Sequence, residues 1–205
     1  MLRLMRRDSR PPLDAPGGAD IQTVGQAELI RRCIAGERAA FERFYREHRK
    51  GVAGTLYRVI GDRGELDDLV QEVFVIAFRG LERFRGDAKL STWLYRICVN
   101  VALGRLRAKG RKGGDTVPYG DLFAETDDGA ASPEERAGAR EELLRVSRVL
   151  ATLAPKKRVV FVLHEIEGLD IHEIASIVEA PLVTVRTRLH YARKEFYRRI
   201  AEEET

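Results

Sequence analysis

The sequence predicts an all-α protein of two small helical domains joined by a flexible acidic linker. Three observations lead there. Apolar residues recur at three- and four-residue steps through most of the 205 residues, and no stretch shows a strand pattern. One segment, Gly110–Ala131, breaks that period, is rich in Gly and Asp, and contains Pro118. Charge is segregated: Phe84–Lys112 carries eight Lys/Arg against the single acid Asp87, Asp115–Glu142 carries nine acids against two Arg, and Leu182–Arg199 carries six Lys/Arg against Glu195. Two basic blocks flanking an acidic one suggest two separate anion-binding surfaces, although the net charge is only +4.

The elements follow in order. Residues 1–24 hold Pro11, Pro12, Pro16, Gly17 and Gly18 without periodicity and read as a mobile tail. The first domain, 25–112, begins with a short helix from Ala27 to Ile34, closed near Gly36. A long helix runs from Glu37 to Ile60, with Phe41, Phe44, Tyr45, Val52 and Leu56 inward. Gly61 and Gly64 bracket a turn. Glu65–Leu81 has the cleanest period, in Leu66, Leu69, Val70, Val73, Phe74, Ala77, Phe78 and Leu81. Phe84–Leu90 is a loop, and Ser91–Arg107 is a helix carrying Trp93, Leu94, Ile97, Cys98 and Val101. After the linker, 113–131, the second domain spans 132–205. Ser132-Pro-Glu-Glu135 is a capping box with Pro at the first helical position, opening a helix to Leu153. Pro155 starts the next, through Glu165, and Gly168 ends it.

The C-terminal stretch Asp170–His190 reads as two helices joined by a tight turn. Asp170 and Glu173 form a capping box. Ile171, Ile174, Ala175, Ile177 and Val178 give the first helix its apolar face. Pro181 suits the first position of the second. Leu182, Val185, Leu189, Ala192, Phe196 and Ile200 then form one stripe, and Thr184, Arg186, Thr187, Arg188, His190, Arg193 and Lys194 lie off it. A helix with a core face and an Arg/Thr face fits the DNA major groove, where Arg reads guanine bidentately. A basic helix alone is as often a solvated face; the capped first helix, the turn and Pro181 favour DNA.

Composition excludes several classes. The start, Met1–Ser9, lacks the apolar region of a secretory signal, and the longest aliphatic and aromatic run, Val159–Leu163, is too short to span a bilayer. Cys33 and Cys98 sit in helical patterns without a partner at metal or redox spacing, which reads as reduced core thiols. Glu65, Asp67, Asp68 and Glu72 crowd one stretch with Gln71. The neighbours Asp67 and Asp68 face about 100° apart on a helix and no His accompanies them, so a solvated or partner-docking face is favoured over a metal site. No catalytic residue set, metal or cofactor is expected.

Two features of the first domain stay open on spacing alone. Phe84-Arg-Gly-Asp-Ala-Lys-Leu-Ser-Thr-Trp93 is either a polar loop that holds unstacked bases or a helix connection with both aromatic ends in the core. Asn100, on an apolar and basic helix leading to Arg105, Arg107, Lys109, Arg111 and Lys112, meets either a base edge or a backbone group.

The whole constellation resembles the extracytoplasmic-function sigma factors of bacterial RNA polymerase. Its matching blocks are Asp67-Asp-Leu-Val-Gln-Glu-Val-Phe74, Phe84-Arg-Gly-Asp87, Thr92-Trp-Leu-Tyr-Arg-Ile97 with Asn100, and Leu169-Asp-Ile-His-Glu-Ile-Ala175 through Pro181 to Arg188. They cover residues 26–108 and 135–200. The resemblance implies sigma region 2 for 25–112 and region 4 for 132–205. It implies docking on core polymerase by Asp67, Asp68, Gln71, Glu72 and Phe74. It implies recognition and melting of the minus-ten element by Phe84, Arg85, Lys89, Thr92, Trp93, Arg96 and Asn100. Thr184, Arg186, Thr187, Arg188, His190, Tyr191 and Arg193 would read the minus-thirty-five element. Implied partners are core RNA polymerase, promoter DNA and an anti-sigma factor, often membrane-anchored, with no small-molecule substrate and a bacterial cytoplasmic location. The sequence departs from the family's usual pattern at Val183, where Gly is usual, and at Tyr191, where a basic residue is common. A free-standing helix-turn-helix regulator is the competing function; it has no use for the acidic helix and aromatic loop of the first domain. A carboxylate-based nuclease lacks any supporting ligand spacing.

Overall fold

In a computed structural model, residues 19–61, 64–84, 89–112 and 133–203 are described, with the backbone alone for 19–24, 111–112, 133–137 and 139–140. All described elements are helical. In the first half these are α1 (Ala19–Ile34), α2 (Arg38–Ile60), α3 (Leu66–Gly80), a 3-10 turn (Leu81–Arg83) and α4 (Leu90–Lys112). In the second half they are α5 (Pro133–Thr152), α6 (Pro155–Phe161, running into a π-helical turn, Val162–Ile166), α7 (Ile171–Ile177) and α8 (Leu182–Glu202).

The helices bury most of the stripe their period announces, but Tyr45, expected inward on α2, is exposed at its edge against the Phe74 ring, and Phe41 is half-buried. On α2, Ala40, Phe44, Val52, Leu56 and Val59 are buried; on α3, Leu66, Leu69, Val70, Val73, Phe74 and Ala77; on α4, Leu90, Leu94, Ile97, Cys98, Val101 and Ala102. α2, α3 and α4 pack mutually. An aromatic cluster fills the gap between α2 and α3, with Phe41 and Phe78 edge-to-face at 4.6 Å and Phe44 against Phe74 at 6.1 Å. Truncating a buried ring of this kind costs about 3–5 kcal/mol. In the second half, the apolar run Val159–Leu163 is buried all round because α6 is covered by α8 and by α2 and α4 of the first half. Cys33 and Cys98 are buried free thiols, and burial pushes both thiol pKa values up, as expected of inert core groups.

Several expectations need correction. The first helix starts at Ala19, inside the stretch read as tail, because extending a helix already anchored at Leu29 and Cys33 adds one hydrogen bond per residue without a new nucleus. α4 runs five residues past Arg107, to Lys112. Pro181 is the N-cap of α8, not its first helical residue: ψ is 144°, and its carbonyl accepts from Val185 N at 3.1 Å. The capping box at Ser132 and the acidic linker lie outside the described residues.

The two halves are in contact. Their apolar side chains form one continuous core, and two buried polar contacts cross between them. Arg158 of α6 donates through Nη1 to the Val59 and Ile60 carbonyls at 2.8 and 3.3 Å, and through Nη2 to Leu153 O at 3.1 Å and to Ala151 O. It thereby satisfies the last carbonyls of α2, which turns away at Gly61, a left-handed residue with φ 76°. Burial without a facing carboxylate lowers the Arg158 pKa to about 10. Glu167, just past the π turn, accepts from Thr55 Oγ1 at 3.0 Å, Arg58 Nη1 at 3.1 Å and Tyr95 Oη at 2.9 Å.

Candidate nucleic-acid interface

The helix-turn-helix is built from α7 and α8. Asp170 accepts from His172 N at 2.7 Å and Glu173 N at 2.9 Å, while Glu173 Oε2 accepts from Asp170 N at 3.2 Å, closing the capping box. The backbone donors, that of Glu173 foremost, hold the Asp170 carboxyl below its usual range. A group whose pKa is lowered by folding stabilises at neutral pH and loses that contribution as pH falls through its folded-state value. Asp170→Ala should therefore cost about 1 kcal/mol in neutral urea denaturation, with the difference from wild type vanishing below the ordinary carboxylate range. A constant difference down to low pH would mean that the carboxylate is not the capping group.

The turn ends with Glu179 in the left-handed region, φ 49°, and Ala180 N bonding Ala175 O at 3.1 Å. α8 is fixed by its buried stripe Val185, Leu189, Ala192, Phe196 and Ile200, with Phe196 against Phe161 at 4.6 Å between ring centres. Of the residues expected to read DNA, Arg186, Thr187, His190, Tyr191 and Arg193 are exposed, and Thr184 and Arg188 half-buried. Arg193 is committed elsewhere: its Nε donates to the buried Glu165 at 2.7 Å, tying α8 to the π turn. Tyr191 lies beneath Lys157 Nζ, 5.6 Å from the ring centre.

In the first half, Lys89, just before α4, and Trp93, Arg96 and Asn100 on it are spaced four, three and four residues apart and continue one stripe. Lys89 and Asn100 are exposed, Trp93 and Arg96 half-buried. Phe84 and Trp93 meet at 5.4 Å between ring centres and pack on the core edge. Gly80 makes room for the indole: a Cβ there would come 2.9 Å from Trp93 Cζ2. Thr92 differs from expectation. It is buried, on the side of α4 from which Tyr95 reaches Glu167, so in this arrangement it is not available to DNA. Arg85 lies outside the described residues.

The acidic residues of α3 separate into roles. Asp67, Asp68, Gln71 and Glu72 are all exposed. Glu65 is paired with Arg105 of α4, and Asp67 faces Arg49 at 3.4 Å. Phe74 is the correction here: it is buried, in ring contact with Phe44, Tyr45 and Phe78, because it belongs to the stripe that faces the core. Among the described residues no three His, Cys, Asp or Glu side chains converge as metal ligands, and no helix is long and apolar enough to cross a membrane.

The basic stripe of the first half touches the helix-turn-helix of the second. Arg96 Nη2 donates to Ser176 O at 2.8 Å, at the C-terminal end of α7, and lies 3.4 Å from the Glu179 carboxylate. Lys89 Nζ lies 3.6 Å from Glu173.

Comparison with known proteins accounts for both halves. Sigma-70 region 2 matches residues 44–112 and sigma-70 region 4 matches residues 143–196. The RNA polymerase sigma-H factor of Pseudomonas aeruginosa is 36% identical over 172 residues, covering 82% of this chain and 89% of the relative. The chain belongs to the sigma-70 family, as a sigma factor of the extracytoplasmic-function type. The sigma-E factor of that type from Escherichia coli K12 is likewise 36% identical, over 81% of this sigma factor and 89% of its own length. Among solved structures, CnrH in complex with the cytosolic domain of CnrY aligns with a TM-score of 0.60 at 26% identity, over 85% of this chain and 96% of that one. A sigma factor RpoE bound to the anti-sigma factor NepR, from Bartonella quintana, shares the fold, with a TM-score of 0.62 at 17% identity over 79% and 96% of the two chains.

Two features of this sigma factor escaped the reading of its sequence. Val75 and Ile76 are large apolar side chains about two-fifths exposed, continuing the acidic face of α3. Their signal was two apolar residues out of period on an otherwise regular helix. Glu167, joining the halves, gave no local signal, since its partners are 72 to 112 positions away.

Proposed function

We propose that this sigma factor divides its work among three surfaces: the exposed face of α3, the Lys89–Asn100 stripe of α4 with Phe84, and the outward face of α8. Its function is that of an extracytoplasmic-function sigma factor, directing core RNA polymerase to specific promoters and initiating transcription there. Asp67, Asp68, Gln71 and Glu72 meet core polymerase. Phe84, Lys89, Trp93, Arg96 and Asn100 take up and hold the minus-ten element. Opening a promoter unstacks a base at a cost of a few kcal/mol, offset by an aromatic pocket and a basic track. Thr184, Arg186, Thr187, Arg188, His190 and Tyr191 read the upstream element. Residues 25–112 and 132–205 act as the two promoter-reading domains, with 113–131 as the acidic linker. The protein works in the cytoplasm, restrained by an anti-sigma factor; the solved sigma structures that carry CnrY and NepR support such a partner.

The observation that carries this reading is the pairing of an exposed basic recognition helix with a second, separately placed basic and aromatic surface in one chain. A free-standing regulator has no use for the second. The test is reconstitution with core polymerase and genome-wide mapping of transcript starts: a shared promoter motif supports the reading, and no promoter-specific transcript overturns it. Arg186→Ala should lower promoter discrimination by about 1–3 kcal/mol with core binding intact. Unchanged transcription from the cognate promoter would remove Arg186 from the reading set.

A further inference from the structure

The exposed side of α8 is not uniformly basic. Val183, Thr187, His190 and Lys194, at steps of four, three and four, run along the side directly opposite the buried Val185, Leu189, Ala192 and Phe196. The first of them is apolar and 72% exposed, and it takes no part in the core. The second behaves as apolar too: Thr187 Oγ1 donates to the Val183 carbonyl at 2.9 Å, so its hydroxyl is satisfied within the helix and its methyl is what it offers outward. Two methyl-bearing side chains one turn apart therefore form the outermost surface of the N-terminal part of α8, the part of a recognition helix that meets base edges. Arg186 stands beside them.

Only one base pair presents an apolar group in the major groove, the A·T pair with its thymine C5 methyl. We infer that Val183 and Thr187 read thymine methyl groups in the upstream promoter element, an inference that rests on α8 being the helix that reads that element. A polar alternative at Val183 is excluded by its chemistry, and a phosphate contact has no donor in its side chain. The element read by this sigma factor thus contains at least one thymine whose methyl is needed, next to any guanine read by Arg186.

The test uses the full chain assembled with core polymerase and duplexes of a promoter found by transcript-start mapping. Each thymine of the upstream element is replaced singly by deoxyuridine, which removes the methyl and leaves every hydrogen-bonding group. With the wild-type protein, one or two positions should weaken binding about fourfold, the worth of one buried methyl group. With Thr187→Ser, which keeps the hydroxyl, the loss at the matching position should disappear, and with Val183→Ala, which keeps one methyl, it should shrink. Both sites are exposed, and Ala favours helix, so folding is not at issue. An upstream element without thymine, indifference to deoxyuridine at every position, or a loss of the same size in both variants overturns the inference. Scrambling the whole upstream element separates the two failures. If binding depends on the element but not on its methyls, only the methyl reading falls; if binding ignores the element, the assignment of α8 falls with it.

Discussion

Asp68→Lys combined with Glu72→Lys should remove the chain from core RNA polymerase, weakening their association a hundredfold or more and abolishing promoter-specific transcription in a reconstituted system. Asp68 and Glu72 stand four residues apart on the solvent side of α3, with Gln71 beside them and Val75 and Ile76 continuing the surface. Such an arrangement, charged at one end and apolar at the other, suits a partner helix with a basic rim. Two reversals place like charges against that rim, which costs several kcal/mol where the contact is close. The fold should tolerate the change. Neither carboxylate has an ion pair among those described, and surface substitutions of this kind usually stay within about 0.5 kcal/mol. Asp68 lies in the first turn of α3, so its reversal also loses a favourable interaction with the helix dipole, a few tenths of a kcal/mol. The measurement is co-purification with core enzyme beside a urea curve for the free protein. Normal co-purification would show that α3 is not the docking face. Loss of both folding and binding would be resolved by Val75→Ala with Ile76→Ala, which leaves the charges and should weaken docking more mildly.

How much of this was legible in the sequence depended on how local the cause was. α3 and α8 were readable because a helix that buries one side must repeat apolar residues at three- and four-residue steps, and both do so without interruption. Asp170 and Glu173 were readable because a capping box closes within four residues. Phe74 shows the limit in the candidate site. The family resemblance grouped it with Asp68 and Glu72, yet its own place in the stripe Leu66, Leu69, Val70, Val73 sends it inward, and the period should have outweighed the resemblance. Thr92 shows a different limit. Nothing near it in sequence indicates burial; it lies on the side of α4 from which Tyr95 reaches Glu167 in the other half. Contacts of that kind join residues far apart in the chain, and each half carries only a fragment of the pattern.

The contact between the halves makes the second large prediction. Glu167→Ala should destabilise the protein by about 3 kcal/mol and expand it. The carboxylate of Glu167 is about nine-tenths buried and receives three donors, Thr55, Arg58 and Tyr95, from two helices of the first half. Removing one member of a buried charged pair leaves the other charge in a poor environment, at a cost of about 3–5 kcal/mol. The chain has a way to reduce that cost, since the halves can separate and return Arg58 to water. The destabilisation seen in urea therefore falls at the low end of the range, and the remainder appears as a larger radius of gyration in small-angle scattering. Glu167→Gln keeps acceptors for the two hydroxyls and loses only the charge, so it should cost less, on the order of 1–2 kcal/mol, and expand the protein less. Unchanged stability and size in Glu167→Ala would mean that Arg158 and the apolar contacts hold the halves together unaided. The separation matters for the surfaces proposed to read DNA. Arg96 is bound to Ser176 and Glu179, and Lys89 lies near Glu173, so in the proposed role both would give up contacts on the helix-turn-helix before meeting DNA. The same substitution that loosens Glu167 from α2 and α4 releases the stripe of α4 from the helix-turn-helix, which is why compactness and exposure of Arg96 should change together.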